Sequence, residues 1–351
     1  MARNPKSDSA ISARKPTMAE IARAAGVSLP TVSKVINNRS DVAPETRARI
    51  EQVIAEQGYI SNKAAQSLWT GRTNLIDLVL NHLGGDYNLE IIRGVEETLS
   101  KTSSRMVLSA TQGETQQERQ WLEKVINGST DGALLVLAHE HSIHLEALRR
   151  HTIPFVVIDH QSEIGSAIPS VGATNWSGGK TATEYLISLG HRRIAMICGV
   201  STTASAQARL AGYRAALDAA GIPIDPVLIR PGTFLFAAGY EQTNALMALP
   251  EPPTAIFSAN DMQALGAYQA LREHSIAVPE QMSIIGFDDE PAASLVYPAL
   301  TTIYQPLEEM ARIATKMLLQ LIDGEALDSS RVEVATSLVI RASCAPPAKM
   351  P

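Results

Sequence analysis

Between residues 17 and 37 short hydrogen-bonding side chains stand among apolar ones: Thr17, Ser28, Thr31, Ser33 and Asn37. Lys34 is the one cation between Arg23 and Arg39. Such groups donate to phosphate oxygens and base edges rather than making or breaking bonds. A second set lies further along the chain. Arg209 can fork onto two neighbouring hydroxyls. Asn260 and Asp288 each follow an apolar run, and ligands collect beyond the carboxyl ends of strands in open α/β sheets. Tyr87, Trp176 and Phe234 lie in polar or glycine-containing stretches, where a ring can pack on the C–H face of a sugar.

Patterns for catalysis fail on inspection. Residues 177–181, SGGKT, end like a phosphate-binding loop, but its first glycine would fall at Thr174. His139, His141 and His144 lack a fixed fourth metal ligand. No Ser/His/Asp or Cys/His arrangement has a productive spacing. The chain therefore reads as a binding protein without cofactor or metal, not an enzyme.

The first set is positioned by two short helices. T-M-A-E at residues 17–20 is a capping box, in which the Thr hydroxyl and the Glu carboxylate satisfy each other's amides. Met18, Ile21, Ala22 and Ala25 share one helical face. Gly26 ends that helix, Ser28 caps the next, and Pro30 falls in its first turn. Val32, Val35 and Ile36 face inward, which leaves Leu29, Pro30, Thr31, Ser33 and Lys34 outward. Pro44 opens a third helix. Helix, glycine turn and helix form a helix-turn-helix.

The second set is positioned by a different pattern. Apolar runs at residues 75–80, 106–110, 133–137, 155–158, 194–198, 255–258 and 283–287 alternate with amphipathic stretches. Alternation of this kind predicts parallel sheets covered by helices. About 280 residues exceed one comfortable doubly wound domain, so two subdomains with a cleft are expected. Arg209 is expected to open a helix, and Asp261 to cap one.

Charge separates the two regions. Residues 1–73 carry eleven Lys and Arg against six Asp and Glu, a net of +5. The remainder carries nineteen against thirty, a net of −11. A cationic head on an anionic body puts a nucleic-acid footprint at one end. Two cysteines make no disulfide framework, which is cytosolic usage. No apolar run reaches the roughly 18 residues of a membrane span. The first 16 residues lack the apolar core of a secretory signal and read as a disordered arm.

The motifs A-x-x-A-G-V-S, T-V-S-K-V-I-N, E-T-R-A-R-I, G-Y and N-K-A-A-Q-S-L follow one another without a gap through residues 22–68. This stretch resembles the headpiece of LacI/GalR-type bacterial transcription regulators. Residues 173–199, 209–222, 257–273, 278–289 and 298–311 resemble the effector-binding core of the same family, akin to periplasmic sugar-binding proteins. The resemblance implies a small all-α helix-turn-helix headpiece on an α/β periplasmic-binding-protein-like core of two parallel-sheet subdomains.

It further implies these boundaries: arm 1–16, headpiece 17–60, hinge helix and linker 61–73, core 74–341 and tail 342–351. Within the core, one subdomain takes 74–189 plus 307–333 and the other 190–303 plus 335–341. The chain would cross between them near Gly190, near residues 304–306 and near Val334.

Roles follow by position. Leu29, Pro30 and Lys34 match base-reading positions in the major groove, with Lys34 able to donate to guanine. Thr17, Ser28, Thr31, Ser33, Asn37 and Asn62 match phosphate positions. Ala65 and Leu68 match minor-groove positions of the hinge helix, where such leucines kink the duplex. Asn175, Arg209, Asn260 and Asp288 match effector-binding positions, with Tyr87, Trp176 and Phe234 in the cleft. The implied protein is a cytoplasmic homodimeric repressor on near-palindromic double-stranded DNA, controlled by a small sugar. ATNW, QWLE and S-A-x-x-G-E resemble members that control plant-polysaccharide use, so a xylose-type or other pentose or hexose saccharide is the expected effector. A nucleoside or phosphorylated metabolite acting as corepressor is the alternative.

Overall fold

Parallel strands covered on both faces read as near-continuous apolar runs, and this tendency organises residues 75–339. The computed structural model describes residues 16–36, 39–59, 71–112, 114–136, 142–159 and 168–348, the side chains of 142–144 excepted. Asn37, Asn62, Ala65, Leu68, His139 and His141, together with the expected hinge helix, lie outside the described residues. The chain divides into two units, residues 1–73 and 74–351.

In the first unit, α1 (Met18–Ala24), α2 (Leu29–Ile36) and α3 (Pro44–Gln57) follow one another. The Thr17 amide donates to Glu20 Oε2 at 2.6 Å, and the Glu20 amide to Thr17 Oγ1 at 3.3 Å, completing the capping box. Gly26 sits at φ +64°, a left-handed turn that a side chain would strain. Ile21, Ala22, Ala25, Val32, Val35 and Ile50 form the core between the three helices.

The second unit holds two six-stranded sheets. The first runs β11-β5-β4-β3-β1-β2 and is parallel throughout. Its strands are β1 (Leu75–Leu80), β2 (Arg105–Ala110), β3 (Gly132–Leu135), β4 (Phe155–Ile158), β5 (Ser170–Ala173) and β11 (Arg331–Val334). Helices α4 (Asp86–Leu99) and α12 (Leu307–Ile322) cover one face through Ile91, Val95, Met310 and Ala314. Helices α5 (Thr115–Ile126) and α6 (Ser142–Arg150) cover the other through Trp121, Val125 and Leu148.

The second sheet runs β12-β10-β9-β8-β6-β7, parallel except for β12. Its strands are β6 (Ile194–Ile197), β7 (Ile229–Arg230), β8 (Ala255–Ser258), β9 (Ser283–Asp288), β10 (Thr301–Tyr304) and β12 (Ser337–Val339). Helices α7 (Asn175–Ser188) and α8 (Ala204–Ala219) cover one face, α9 (Phe236–Met247) and α10 (Asp261–Glu273) the other. A short α11 (Pro291–Leu295) follows β9.

Two expected boundaries move. The first crossing between sheets falls at Thr174, not near Gly190, because α7 belongs to the second sheet. Its Ala182 and Leu186 pack with Met196 and Phe257. Gly179 and Gly212 let α7 and α8 touch: a Cβ on Gly179 would stand 2.3 Å from the Arg209 carbonyl oxygen, and one on Gly212 2.2 Å from that of Trp176. The glycines of SGGKT are therefore contact points between helices. Nor is the segment from residue 342 a free tail. The Ile284 amide donates to the Ser343 carbonyl at 2.9 Å, and Ser343 Oγ accepts from the Thr301 amide at 2.8 Å. Buried His191 reaches the Ala345 carbonyl at 2.9 Å.

Candidate functional site

The outward face of α2 presents Ser28, Leu29, Pro30 and Lys34 to solvent, with Thr31 and Ser33 half-buried. Ser28 Oγ bonds Thr31 Oγ1 at 2.8 Å and accepts from the Thr31 amide at 3.4 Å, which fixes the helix start. Lys34 Nζ donates to Asp41 Oδ2 at 2.7 Å. That hydrogen bond holds the Asp41 carboxyl below its usual range. The only cation of α2 is thus paired with an acid from the loop that leads to α3.

In the core the site is built at the carboxyl ends of the strands, where loops from distant segments converge. Thr203 caps α8 by accepting from the Ala206 amide at 3.3 Å, so the helix starts at Ala204 and Arg209 lies in its second turn rather than opening it. Arg209 is 3% exposed. Its Nε donates to Asn175 Oδ1 at 2.8 Å, Nη1 to the Ala259 carbonyl at 2.5 Å, and Nη2 to Gln305 Oε1 at 2.7 Å. Nη2 also stands 3.3 Å from Asp288 Oδ1. The guanidinium lies over the Phe287 ring, 3.5 Å from its centroid, and 5.8 Å from that of Phe234.

Burial pushes the Asp288 carboxyl well above its ordinary range; Arg209 opposes this, while Asp261, Glu290 and Asp159 add to it. Asp288 Oδ1 and Gln305 Nε2 are buried without a hydrogen-bond partner. On the first subdomain, the Tyr87 hydroxyl donates to Asp159 Oδ2 at 2.5 Å. Burial first, then the Asp159 charge, raises the Tyr87 hydroxyl well above its usual value. Asn260 caps α10, accepting from the Gln263 amide at 3.0 Å and donating to the Phe234 carbonyl at 3.0 Å.

Asp261 was the expected cap. It instead accepts from Thr302 Oγ1 at 2.6 Å and from the Glu290 amide at 2.8 Å. Burial lifts its pKa to about 7. Asp289 pairs with Arg341 at 2.7 Å. Asp159, Phe234, Asp288 and Asp289 all have positive φ, at 51°, 62°, 108° and 62°. Strain of this kind collects where a binding geometry is held in place by its surroundings.

The structure therefore joins Asn175, Arg209 and Asp288 directly, and brings Phe234 beside them. Tyr87 reaches the same region through Asp159, which also interacts electrostatically with Asp288. Trp176 stands apart. Its side chain, 46% exposed, lines a cavity of about 290 Å³ with Asp159, Asn175, Ser205, Arg331 and Glu333. Sequence reading missed Asp159, Ser205, Phe287 and Gln305. Asp159 carried a legible signal, an acid directly after the apolar run of residues 155–158.

Comparison with known proteins agrees with this architecture. Residues 17–62 match the bacterial regulatory proteins of the lacI family, and residues 183–344 match the periplasmic binding protein-like domain. The ribose operon repressor of Escherichia coli (strain K12) is 35% identical over 328 residues, spanning 93% of this chain and 99% of that protein. The HTH-type transcriptional repressor PurR of Haemophilus influenzae (strain PittEE) is 34% identical over 331 residues, spanning 93% and 98%. The lac repressor dimer bound to operator and the anti-inducer ONPF superposes with a TM-score of 0.84 at 28% identity, covering 95% of this chain and 100% of that one. The transcriptional regulator CelR in complex with cellobiose gives 0.74 at 31% identity, covering 94% and 100%. With a helix-turn-helix of that type ahead of a two-sheet core, and relatives matched from end to end, the chain belongs to the lacI family of bacterial DNA-binding transcriptional regulators.

Proposed function

We propose that the chain is a cytoplasmic, homodimeric repressor that leaves a near-palindromic operator when an uncharged sugar enters the cleft between the core subdomains. The observation that carries this reading is the Arg209 network. One cation is surrounded by Asn175, Gln305, Asp288 and the Ala259 carbonyl, with most of its donors already engaged. Asp288 Oδ1 still lacks a hydrogen-bond partner, and Gln305 Nε2 still has a proton to give. Such a site accepts protons from hydroxyl groups and returns one hydrogen bond, which is the profile of a polyol.

Charge bears on the alternative effectors. Asp159, Asp288 and Glu290 are buried around Arg209, the one buried guanidinium among the described residues. A phosphate would meet carboxylates at close range in a poorly screened site. This favours a free sugar over a phosphorylated metabolite. Relatives named for ribose and cellobiose, and the plant-polysaccharide motifs of the sequence, support a pentose or hexose saccharide.

Ligand control needs only a sugar that binds one subdomain arrangement better than another. Three crossings join the sheets, so closing the cleft turns one sheet relative to the other. Dimerisation is supported by apolar side chains left in solvent: Leu108 on edge strand β2 is 43% exposed, Leu295 is 82% and Tyr297 95%. A two-fold dimer reads a two-fold operator. Thr17, Ser28, Thr31, Ser33, Asn37 and Asn62 would hold phosphates, Leu29, Pro30 and Lys34 would read the major groove, and Ala65 and Leu68 the minor groove.

The test is fluorescence anisotropy on DNA from the promoter beside the chain's own gene, with a panel of free and phosphorylated sugars and nucleosides. Release by a free sugar supports the reading. Tighter binding with a nucleoside or phosphorylated metabolite replaces it with corepression.

A further inference from the structure

The Arg209 network is closely packed: Arg209 is 3% exposed and Gln305 fully buried. Asn175, which bonds Arg209, also borders open space together with Asp159. There a cavity of about 290 Å³ is lined by Asp159, Asn175, Trp176, Ser205, Arg331 and Glu333. It lies at the lower end of the size range of small-molecule pockets, roughly 300–1,000 Å³.

The walls differ in chemistry from the Arg209 network. Ser205 is 5% exposed, and its hydroxyl makes no hydrogen bond among the described residues. Asp159, also 5% exposed, gives one oxygen to Tyr87, and its other oxygen makes no hydrogen bond among the described residues. These are buried polar groups at the cavity wall. The rim holds the half-exposed ring of Trp176 and the pair Arg331–Glu333, 3.1 Å apart and each about half exposed. An aromatic face beside paired hydrogen-bonding charges suits the C–H face and hydroxyl edge of a sugar ring.

The cavity also touches two crossings between the sheets. Thr174, on its wall, accepts from the Thr336 amide at 2.9 Å, and their hydroxyls lie 3.0 Å apart. Arg331 and Glu333 belong to β11, which ends at Val334, two residues before Thr336.

We infer that this hinge-side cavity is a second ring subsite, so that the effector is a di- or oligosaccharide. One ring bonds the Asp288–Arg209–Gln305 part, and the next lies against Trp176 with hydroxyls directed at Asp159, Ser205 and Glu333. The inference rests on the sugar reading of the cleft. It gives that reading a length requirement, and it places the second ring on the segments that join the subdomains.

Calorimetric titration of the full chain with D-xylose, xylobiose, D-glucose and cellobiose tests it. The expected result is that one disaccharide binds about tenfold or more tighter than its own monosaccharide. Trp176→Ala and, separately, Glu333→Ala should bring that ratio towards one. Glu333→Ala guards against a folding defect, since that side chain is half exposed. Equal affinity for a disaccharide and its monosaccharide, or a ratio unchanged in both variants, overturns the subsite and leaves the cleft reading standing. Failure of all four sugars to bind overturns the sugar reading, and the subsite with it.

Discussion

The guanidinium of Arg209 lies over the ring of Phe287, with its carbon 3.5 Å from the ring centroid. Stacking below and hydrogen bonds at the edge leave the fork one orientation. Lysine cannot reproduce it, because a point charge on a flexible stem neither stacks nor forks.

Replacing Arg209 therefore has two separable effects. Arg209→Ala leaves Asp288 buried without its counter-charge, at a cost of about 3 kcal/mol. Arg209→Met with Asp288→Asn removes the unpaired charge and should melt closer to wild type. Both variants should still bind operator DNA and fail to respond to sugar. Thermal unfolding with an operator-release assay checks this; a normal sugar response in Arg209→Ala would misplace the pocket.

Asp261 makes core stability depend on pH. Its folded pKa, about 7, lies above the ordinary 3.8 of a free side chain because burial penalises the charged form. Between those values the folded state holds the proton more tightly than the unfolded one, so stability falls as pH rises from about 4 to about 7. Asp261→Asn keeps a carboxamide that can bond Thr302 and the Glu290 amide but cannot ionise. Relative to wild type, the variant should gain about 2 kcal/mol between pH 5 and pH 7.5. Denaturant titration at the two pH values measures it, and parallel pH profiles would refute it.

In the headpiece Lys34 is paired with Asp41. A carboxylate 2.7 Å from the sole cation of α2 weakens its pull on any phosphate. Asp41→Asn should strengthen binding to random-sequence DNA, steepen the salt dependence by about one unit, and narrow the gap between operator and random DNA. An unchanged salt slope would show that the pair opens at no cost before DNA arrives.

Tyr297 is 95% exposed and Leu295 82%, so neither supports the fold of its own subdomain. Tyr297→Asp should leave the melting curve of the isolated chain intact while shifting sedimentation towards monomer and weakening operator binding. Sedimentation identical to wild type would place the dimer contact elsewhere.

The headpiece was readable because its signals are local. A Thr and a Glu three apart, a Gly and a Ser capped helices within a few residues, and each did so in the structure. The two-sheet core was readable from apolar runs, since a parallel strand covered on both faces holds a polar side chain inside it only where a partner is at hand, as Trp121 is for Asp77 in β1. Helix α7 was harder. Its weakly amphipathic sequence fits either subdomain, and the close contact through Gly179 and Gly212 that decides the matter is a relation between two helices. Ser343 read as tail, yet it bonds the distant Thr301 and Ile284. Gln305 and Phe287 escaped for the same reason. Each gains its role only when strand ends far apart in sequence meet around Arg209.

The most direct test is the anisotropy of operator DNA with the full chain, titrated with free sugars and their phosphorylated counterparts. Salt-sensitive binding that favours the operator over random DNA, released by a free saccharide and not by its phosphate, is the expected result. Equal affinity for operator and random DNA would contradict sequence-specific regulation, and release by the phosphorylated form alone would contradict the uncharged cleft ligand.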